Sequence, residues 1–146
     1  APALIAYARS LGLDQGSAED IVQRSFVALL DADHWPTETR PYLFRAVRNS
    51  TLNHMRDRSR EIDIAETEPW FESRDFDRAT ELDLRRALIR LPDDQREVVM
   101  MHVWGGLTFQ ELAIALGLSP NTVASRYRYA LAALKRVFTR ETAPED

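Results

Sequence analysis

The chain has 146 residues, 45% hydrophobic and 29% charged, with a formal net charge of −4. That length and that apolar share suffice for one packed domain or two small ones. There is no cysteine, which excludes a disulfide framework and any cysteine zinc site and suits a reducing compartment, and no apolar run approaches the roughly 18 residues of a membrane span. No signal-peptide pattern is visible, and the chain opens on Ala1 rather than methionine, as a trimmed fragment would.

Residues 3–11 read as a short helix stopped by Gly12. Ser17-x-x-Asp20 has the form of a capping box and opens a second helix, with Ile21, Val22, Phe26, Leu29 and Leu30 on its apolar side. That helix fades over Asp31–Pro36, in a loop that carries Trp35. A third helix runs from Arg40 or Pro41 to Arg58. It packs Leu43, Phe44, Val47, Leu52 and Met55, and its other positions are basic or amide-bearing: Arg45, Arg48, Asn49, Asn53, His54 and Arg56. Trp35 and Tyr42 are expected in the core rather than as platforms for unstacked bases. Residues 60–79 are acidic, contain Pro69 and show no sustained period, so they read as a linker, with Trp70, Phe71 and Phe76 able to dock on a neighbouring surface.

A helix over Thr80–Leu91 is ended by Pro92. Asp93 is expected to cap the next, over residues 94–104, which carries Val98, Val99, Met101, Val103 and Trp104 and stops at Gly105-Gly106. Thr108-x-x-Glu111 is another capping box, followed by the apolar Leu112, Ala113 and Leu116. Gly117 suits the left-handed end of that helix, Ser119 caps the next, and Pro120 fits its first position. Val123, Tyr127, Ala130, Leu134 and Phe138 then form a buried stripe. The opposite face carries Asn121, Ser125, Arg128, Tyr129 and Arg136, groups that suit base edges and phosphates. Two helices joined this tightly form a helix-turn-helix, whose second helix reads DNA with its N-terminal residues. The plainer alternative is the corner of an ordinary bundle with a solvated polar face. The fold class is therefore all-α: two small helical domains of three and four helices, over 1–60 and 80–140, joined by an acidic linker over 61–79.

Charge is unevenly placed. Residues 40–60 hold six arginines against one acid, 61–80 hold seven acids against two arginines, and 119–140 hold five bases and no acid. Two segments of +5 thus flank one of −5, and local sign matters more than the sum when the partner is a polyanion. Arginines, amides and aromatics around the third helix suit a single strand with unstacked bases. Nothing suggests catalysis: His34, His54 and His102 are scattered, and there is no phosphate-binding glycine loop and no nucleophile elbow. No cofactor or metal is expected.

Three blocks stand in a familiar order: SAEDIVQRSF, RPYLFRAVRNSTLNHMR and LPDDQREVVMMHVWGGLTFQELAIALGLSPNTVASRYRYAL. Together they resemble the bacterial extracytoplasmic-function sigma factors, over nearly the whole chain apart from the linker and the two ends. The last block is the most specific, because residue types and spacing agree together. The resemblance implies a cytoplasmic promoter-recognition subunit whose region two binds the clamp of core RNA polymerase and melts the minus-ten element. Region four would bind the flap and read the minus-thirty-five element, and an anti-sigma factor would hold the protein inactive. By position it implies Asp20 and Gln23 at the clamp, with Asp20 also capping its helix. Arg45, Arg48, Asn49, Asn53 and Arg56, with the 31–39 loop, would hold the non-template strand. Ser125, Arg128 and Tyr129 would face the major groove, with Arg126 on phosphate; to these the helix face itself adds Asn121 and Thr122 near its start and Arg136, past the N-terminal turns, on phosphate. In the family the linker threads toward the polymerase active-site cleft. Ala124 stands where the family often has Lys or Arg, which removes one usual DNA contact, and Arg24-Ser25 stand where an acid is common. The first helix is short for the family, as if its beginning were missing. An alternative of another class is a sigma-like module that binds an anti-sigma factor without binding DNA, but such a mimic has no use for two exposed basic segments. A conventional transcription factor using only the C-terminal domain leaves residues 1–60 unexplained.

Overall fold

The computed structural model describes residues 2–56, 69–71 and 77–142, with side chains in the last helix as far as Phe138. Seven helices follow one another: α1 Pro2–Ser10, α2 Gln15–Leu30, α3 Thr39–Met55, α4 Arg78–Arg90, α5 Asp93–Val99, α6 Phe109–Leu116 and α7 Pro120–Thr142. A π-helical turn, Met100–Trp104, extends α5. There is no strand among the described residues, as the pattern predicts. The acidic run over 61–68, Phe76, Arg58 and Arg60 lie outside the described residues.

The helix starts show which capping signals operate. At α2 the cap is Asp14, whose carboxylate accepts from Ser17 N–H at 2.7 Å. The expected box at Ser17 and Asp20 is not used, because the helix already begins at Gln15. Asp20 instead pairs with Arg24 one turn on, in solvent. Asp77 caps α4 through Thr80 N–H at 2.7 Å, a backbone bond that holds its carboxyl below the usual range. Asp93 is the first residue of α5 rather than its cap, and its carboxylate faces Arg96 at 3.1 Å. Pro92 holds the cap position with no side-chain bond.

Helices α1, α2 and α3 pack on one another, as do α5, α6 and α7, and the two groups meet where α3 lies against α6 and α1 against the π-turn. One apolar cluster runs through both, from Tyr7, Ala8, Val22 and Val47 to Leu88, Val98, Met101, Leu107, Leu112 and Val123. The sequence reads two domains tied by a linker; the structure docks them on each other. Tyr7 sets its ring edge-on to Phe44 at 5.5 Å, and a Cβ at Gly105 would come within 2.7 Å of the Phe44 ring. Glycine is therefore required where the π-turn passes under α3. Other expectations change as well. Leu30, Trp35 and Tyr42 are 64%, 56% and 40% exposed rather than buried: Leu30 lies on the outer row of α2 with Gln23 and Val27, Trp35 in the loop after it, and Tyr42 on the outward arc of α3.

Arg96 is the polar counterpart of this packing. Buried, it donates to the carbonyls of Leu88, Ile89 and Leu91, which close α4, and to that of Ser10, which closes α1. One guanidinium, with donors in a fixed fork, thus satisfies the open carbonyls of two helix ends. Arg96→Met should leave the carbonyls of Ser10, Ile89 and Leu91 without this donor, while that of Leu88 keeps the Leu91 N–H at 3.1 Å, and lower stability by roughly 3–5 kcal/mol, at about 1–3 kcal/mol per orphaned buried group. Urea denaturation should show a lower midpoint with an unchanged slope; a loss below about 1 kcal/mol would mean that the ends are satisfied otherwise.

Candidate nucleic-acid interface

The α6–α7 pair is a helix-turn-helix held by local chemistry. Thr108 Oγ1 accepts from Glu111 N–H at 3.1 Å, and the Glu111 carboxylate accepts from Thr108 N–H at 3.0 Å, closing the capping box. Gly117 ends α6 at φ 68°, ψ 37°. Ser119 Oγ accepts from Thr122 N–H at 3.2 Å and lies 3.0 Å from the Thr122 hydroxyl, so Ser119 caps α7 and Thr122 is partly engaged in the turn.

The buried side of α7 fixes what the other side presents. Val123 and Ala130 are wholly buried, while Tyr127 packs edge-on against His102 at 4.7 Å and Phe109 at 5.4 Å. His102 is held in turn through Nδ1, 2.7 Å from the Leu107 carbonyl oxygen. With that stripe inward, Asn121, Thr122, Arg128, Tyr129 and Arg136 face solvent, Tyr129 at 65% exposure, and Ser125 and Arg126 are half-exposed. Arg128 donates to Ser125 Oγ at 3.2 Å, which turns both toward the helix N-terminus, where a major groove would be read. Arg126 faces Asp94 of α5 at 3.5 Å. Such a half-exposed pair contributes little, so a phosphate can displace the acid.

The second candidate surface lies on α3. At about 100° per residue, Tyr42, Arg45, Asn49, Asn53 and Arg56 fall within roughly 80° of arc, and all are exposed. Arg56 donates to Asn53 Oδ1 at 3.0 Å. With Trp35 exposed in the preceding loop, this face offers aromatic planes, amides and cations together, the means of holding unstacked bases. Arg48 does not join it. Its Nε donates to Glu97 Oε1 at 2.5 Å, and burial works against its charge while Glu97 holds that charge in place and raises its pKa. Tyr7 donates to the same carboxylate oxygen at 2.7 Å, and burial, followed by the Glu97 charge, pushes its pKa well above the usual value, so it stays a donor.

Asp20 and Gln23 are exposed on the outer face of α2, far along the helix surface from its buried stripe. Val27 and Leu30 continue their row, 50% and 64% exposed. The sequence reading placed Leu30 in the core and passed over Val27; their spacing of four and seven from Gln23 was the available signal. Among the described residues no cluster of His, Cys, Asp or Glu could hold a metal ion, and no helix is long and apolar enough to cross a membrane.

Two family descriptions match the chain: Sigma-70 region 2 over residues 1–61 and Sigma-70 region 4 over residues 81–134. Among similar proteins, the ECF RNA polymerase sigma factor EcfG of Rhodopseudomonas palustris is 30% identical, covering 99% of this chain and 86% of that protein. The RNA polymerase sigma-E factor of Streptomyces coelicolor is 34% identical over 91% of this chain and 78% of its own length. Among solved structures, the sigma factor RpoE of Bartonella quintana, in complex with the anti-sigma factor NepR, superposes with a TM-score of 0.74 at 26% identity, covering 98% of this chain and 92% of that one. CnrH in complex with the cytosolic domain of CnrY gives 0.68 at 28% identity, covering 96% and 82%.

The presentation of α7 rests on the left-handed residue before it. Gly117→Ala should cost roughly 1–2 kcal/mol, the penalty of placing a Cβ in that conformation. No neighbouring atom lies near the added methyl, so the loss would be conformational alone. Thermal melting monitored by far-UV circular dichroism checks this; an unchanged melting temperature would show that the turn tolerates a side chain.

Proposed function

The chain belongs to the extracytoplasmic-function sigma factors of bacterial RNA polymerase, which direct promoter-specific initiation, and on that footing we propose which of its surfaces does what. Residues 1–60 act as the core-binding and minus-ten domain, residues 61–79 as the linker and residues 80–140 as the minus-thirty-five domain. The face of Tyr42, Arg45, Asn49, Asn53 and Arg56 holds the melted non-template strand, with Trp35 as a stacking plane, while Arg48 stays with Glu97 off this face. Asn121, Thr122, Ser125, Arg128 and Tyr129 face base edges in the major groove, while Arg126 and Arg136 bind phosphate. Asp20 and Gln23, with Val27 and Leu30 beside them, meet the polymerase clamp, and the second domain meets the flap. The protein works in the cytoplasm, carries no catalysis of its own, and is restrained by an anti-sigma factor, a partner of the kind that the similar sigma factor RpoE is found with in its complex with the anti-sigma factor NepR.

The observation that carries this reading is the presence on one chain of two exposed faces of different chemistry. One is suited to duplex grooves and the other to unstacked bases. In vitro transcription with purified core polymerase and a promoter library tests the whole; failure to enrich any promoter would overturn it.

The roles also separate residue by residue. Asp20→Ala with Gln23→Ala should weaken core binding at least several-fold without loss of stability, since Asp20 makes only an exposed pair with Arg24. A pull-down titration with unchanged affinity would remove both from the polymerase interface. Arg128→Ala should cost roughly 1–3 kcal/mol and blur the preference at one base of the upstream element. Arg136→Ala should weaken all sequences alike and reduce the salt slope by about one unit. Binding isotherms across upstream variants and salt concentrations distinguish the two, and a uniform proportional loss for Arg128→Ala would exclude it from base reading.

A further inference from the structure

Arg128 is exposed, so its long side chain would sample many rotamers if nothing held it. Its Nη2 donates to Ser125 Oγ at 3.2 Å, one turn nearer the start of α7. On the helix surface its neighbours are Ala124 and Ser125 on one side and Leu131 and Ala132 on the other. Of these side chains only Ser125 has an acceptor. Residues 119–140 carry no acid that could compete for the guanidinium. Ala124 ends at a methyl group, so the guanidinium folds back past it without meeting a like charge. Serines elsewhere in the fold act differently. Ser10 and Ser25 donate to carbonyls of their own helices, those of Tyr7 and Ile21, at 2.6 and 2.9 Å.

We propose that Ser125 is a positioning residue, which aims Arg128 at one guanine of the upstream element and reads no base of its own. This deepens, and rests on, the reading of α7 as the helix that enters the major groove. The bond to Ser125 uses one of the five N–H donors of an arginine, and those that remain suffice for a bidentate contact with guanine O6 and N7. DNA binding would otherwise have to immobilise a rotamer-rich side chain, and a guanidinium already held by Ser125 loses less freedom at that step. Ala124 belongs to the same device, because a lysine there would stand one turn from Arg128 and repel it.

The full chain assembled with core polymerase tests this on a promoter duplex selected from a random library. Each guanine of the upstream element is replaced in turn by 7-deazaguanine, which lacks the N7 acceptor. One replacement should weaken binding by the unaltered protein and leave binding by Arg128→Ala unchanged, which identifies the guanine that Arg128 reads. Ser125→Ala should bind the unmodified duplex roughly three- to tenfold more weakly, the range for one immobilised side chain, and should lose discrimination at that guanine alone. Ser125→Thr, which keeps the acceptor, should restore both. Ala124→Lys should lose the same discrimination despite its added charge. All three variants should keep the melting temperature, and Ser125→Ala added to Arg128→Ala should weaken binding no further. A loss that adds to that of Arg128→Ala, or that falls at another base, overturns the positioning role, since Ser125 then reads DNA directly. Full discrimination by Ser125→Ala at the Arg128 guanine overturns it as well. If Arg128→Ala keeps full sensitivity at every guanine, the reading of Arg128 as a base reader fails, and the role of Ser125 fails with it.

Discussion

A helical unit of about sixty residues buries too little surface to be comfortably stable alone, and this chain contains two of them. They meet by laying α1 and α3 against α5, its π-turn and α6, so that one apolar cluster serves both. The buried carboxylate of Glu97 stands at the centre of that seam, with Tyr7 and Arg48 converging on one of its oxygens. Arg96, the residue before it, reaches the other way and closes the ends of α4 and α1. Two adjacent residues of one short helix therefore set both the integrity of the second group and its register on the first.

The surfaces assigned to DNA follow from what this packing leaves outside. On α7 the inward row of Val123, Tyr127 and Ala130 leaves Arg128 and Tyr129 no choice but solvent. On α3 the inward row of Phe44, Val47, Thr51 and Met55 leaves the row from Tyr42 to Arg56 outward. The same docking that completes the core divides the arginines of α3 into two classes. Arg45 and Arg56 face solvent away from the second group, whereas Arg48 and the still exposed Arg40 are engaged by it.

Much of the helix-turn-helix was legible in the residues. Thr108, Glu111, Gly117 and Ser119 act through bonds to backbone groups within three or four positions, so their spacing alone specifies them. Where two local signals competed, the reading failed. Asp14 and the Ser17–Asp20 pair could each start α2, and only the entry of the chain from α1 favours the first. Trp35, Tyr42 and Leu30 were misplaced for a related reason: an apolar side chain is buried only if some other element covers it, and nothing among the described residues covers the end of α2 or the outward arc of α3.

What the sequence by itself determined was what short-range periodicity holds: an all-α fold, the seven helices, the capping of α6 and α7, the buried stripe of α7 and the order of motifs that marks the sigma family. What only the tertiary structure decided was the meeting of groups far apart in the chain. Tyr7 and Glu97 are 90 positions apart, Arg48 and Glu97 are 49 apart, and Arg9 and Pro69 are 60 apart. No local period encodes such a pairing. It arises because two undersized cores lower their free energy by sharing surface, and the charged groups trapped at the seam must then find one another.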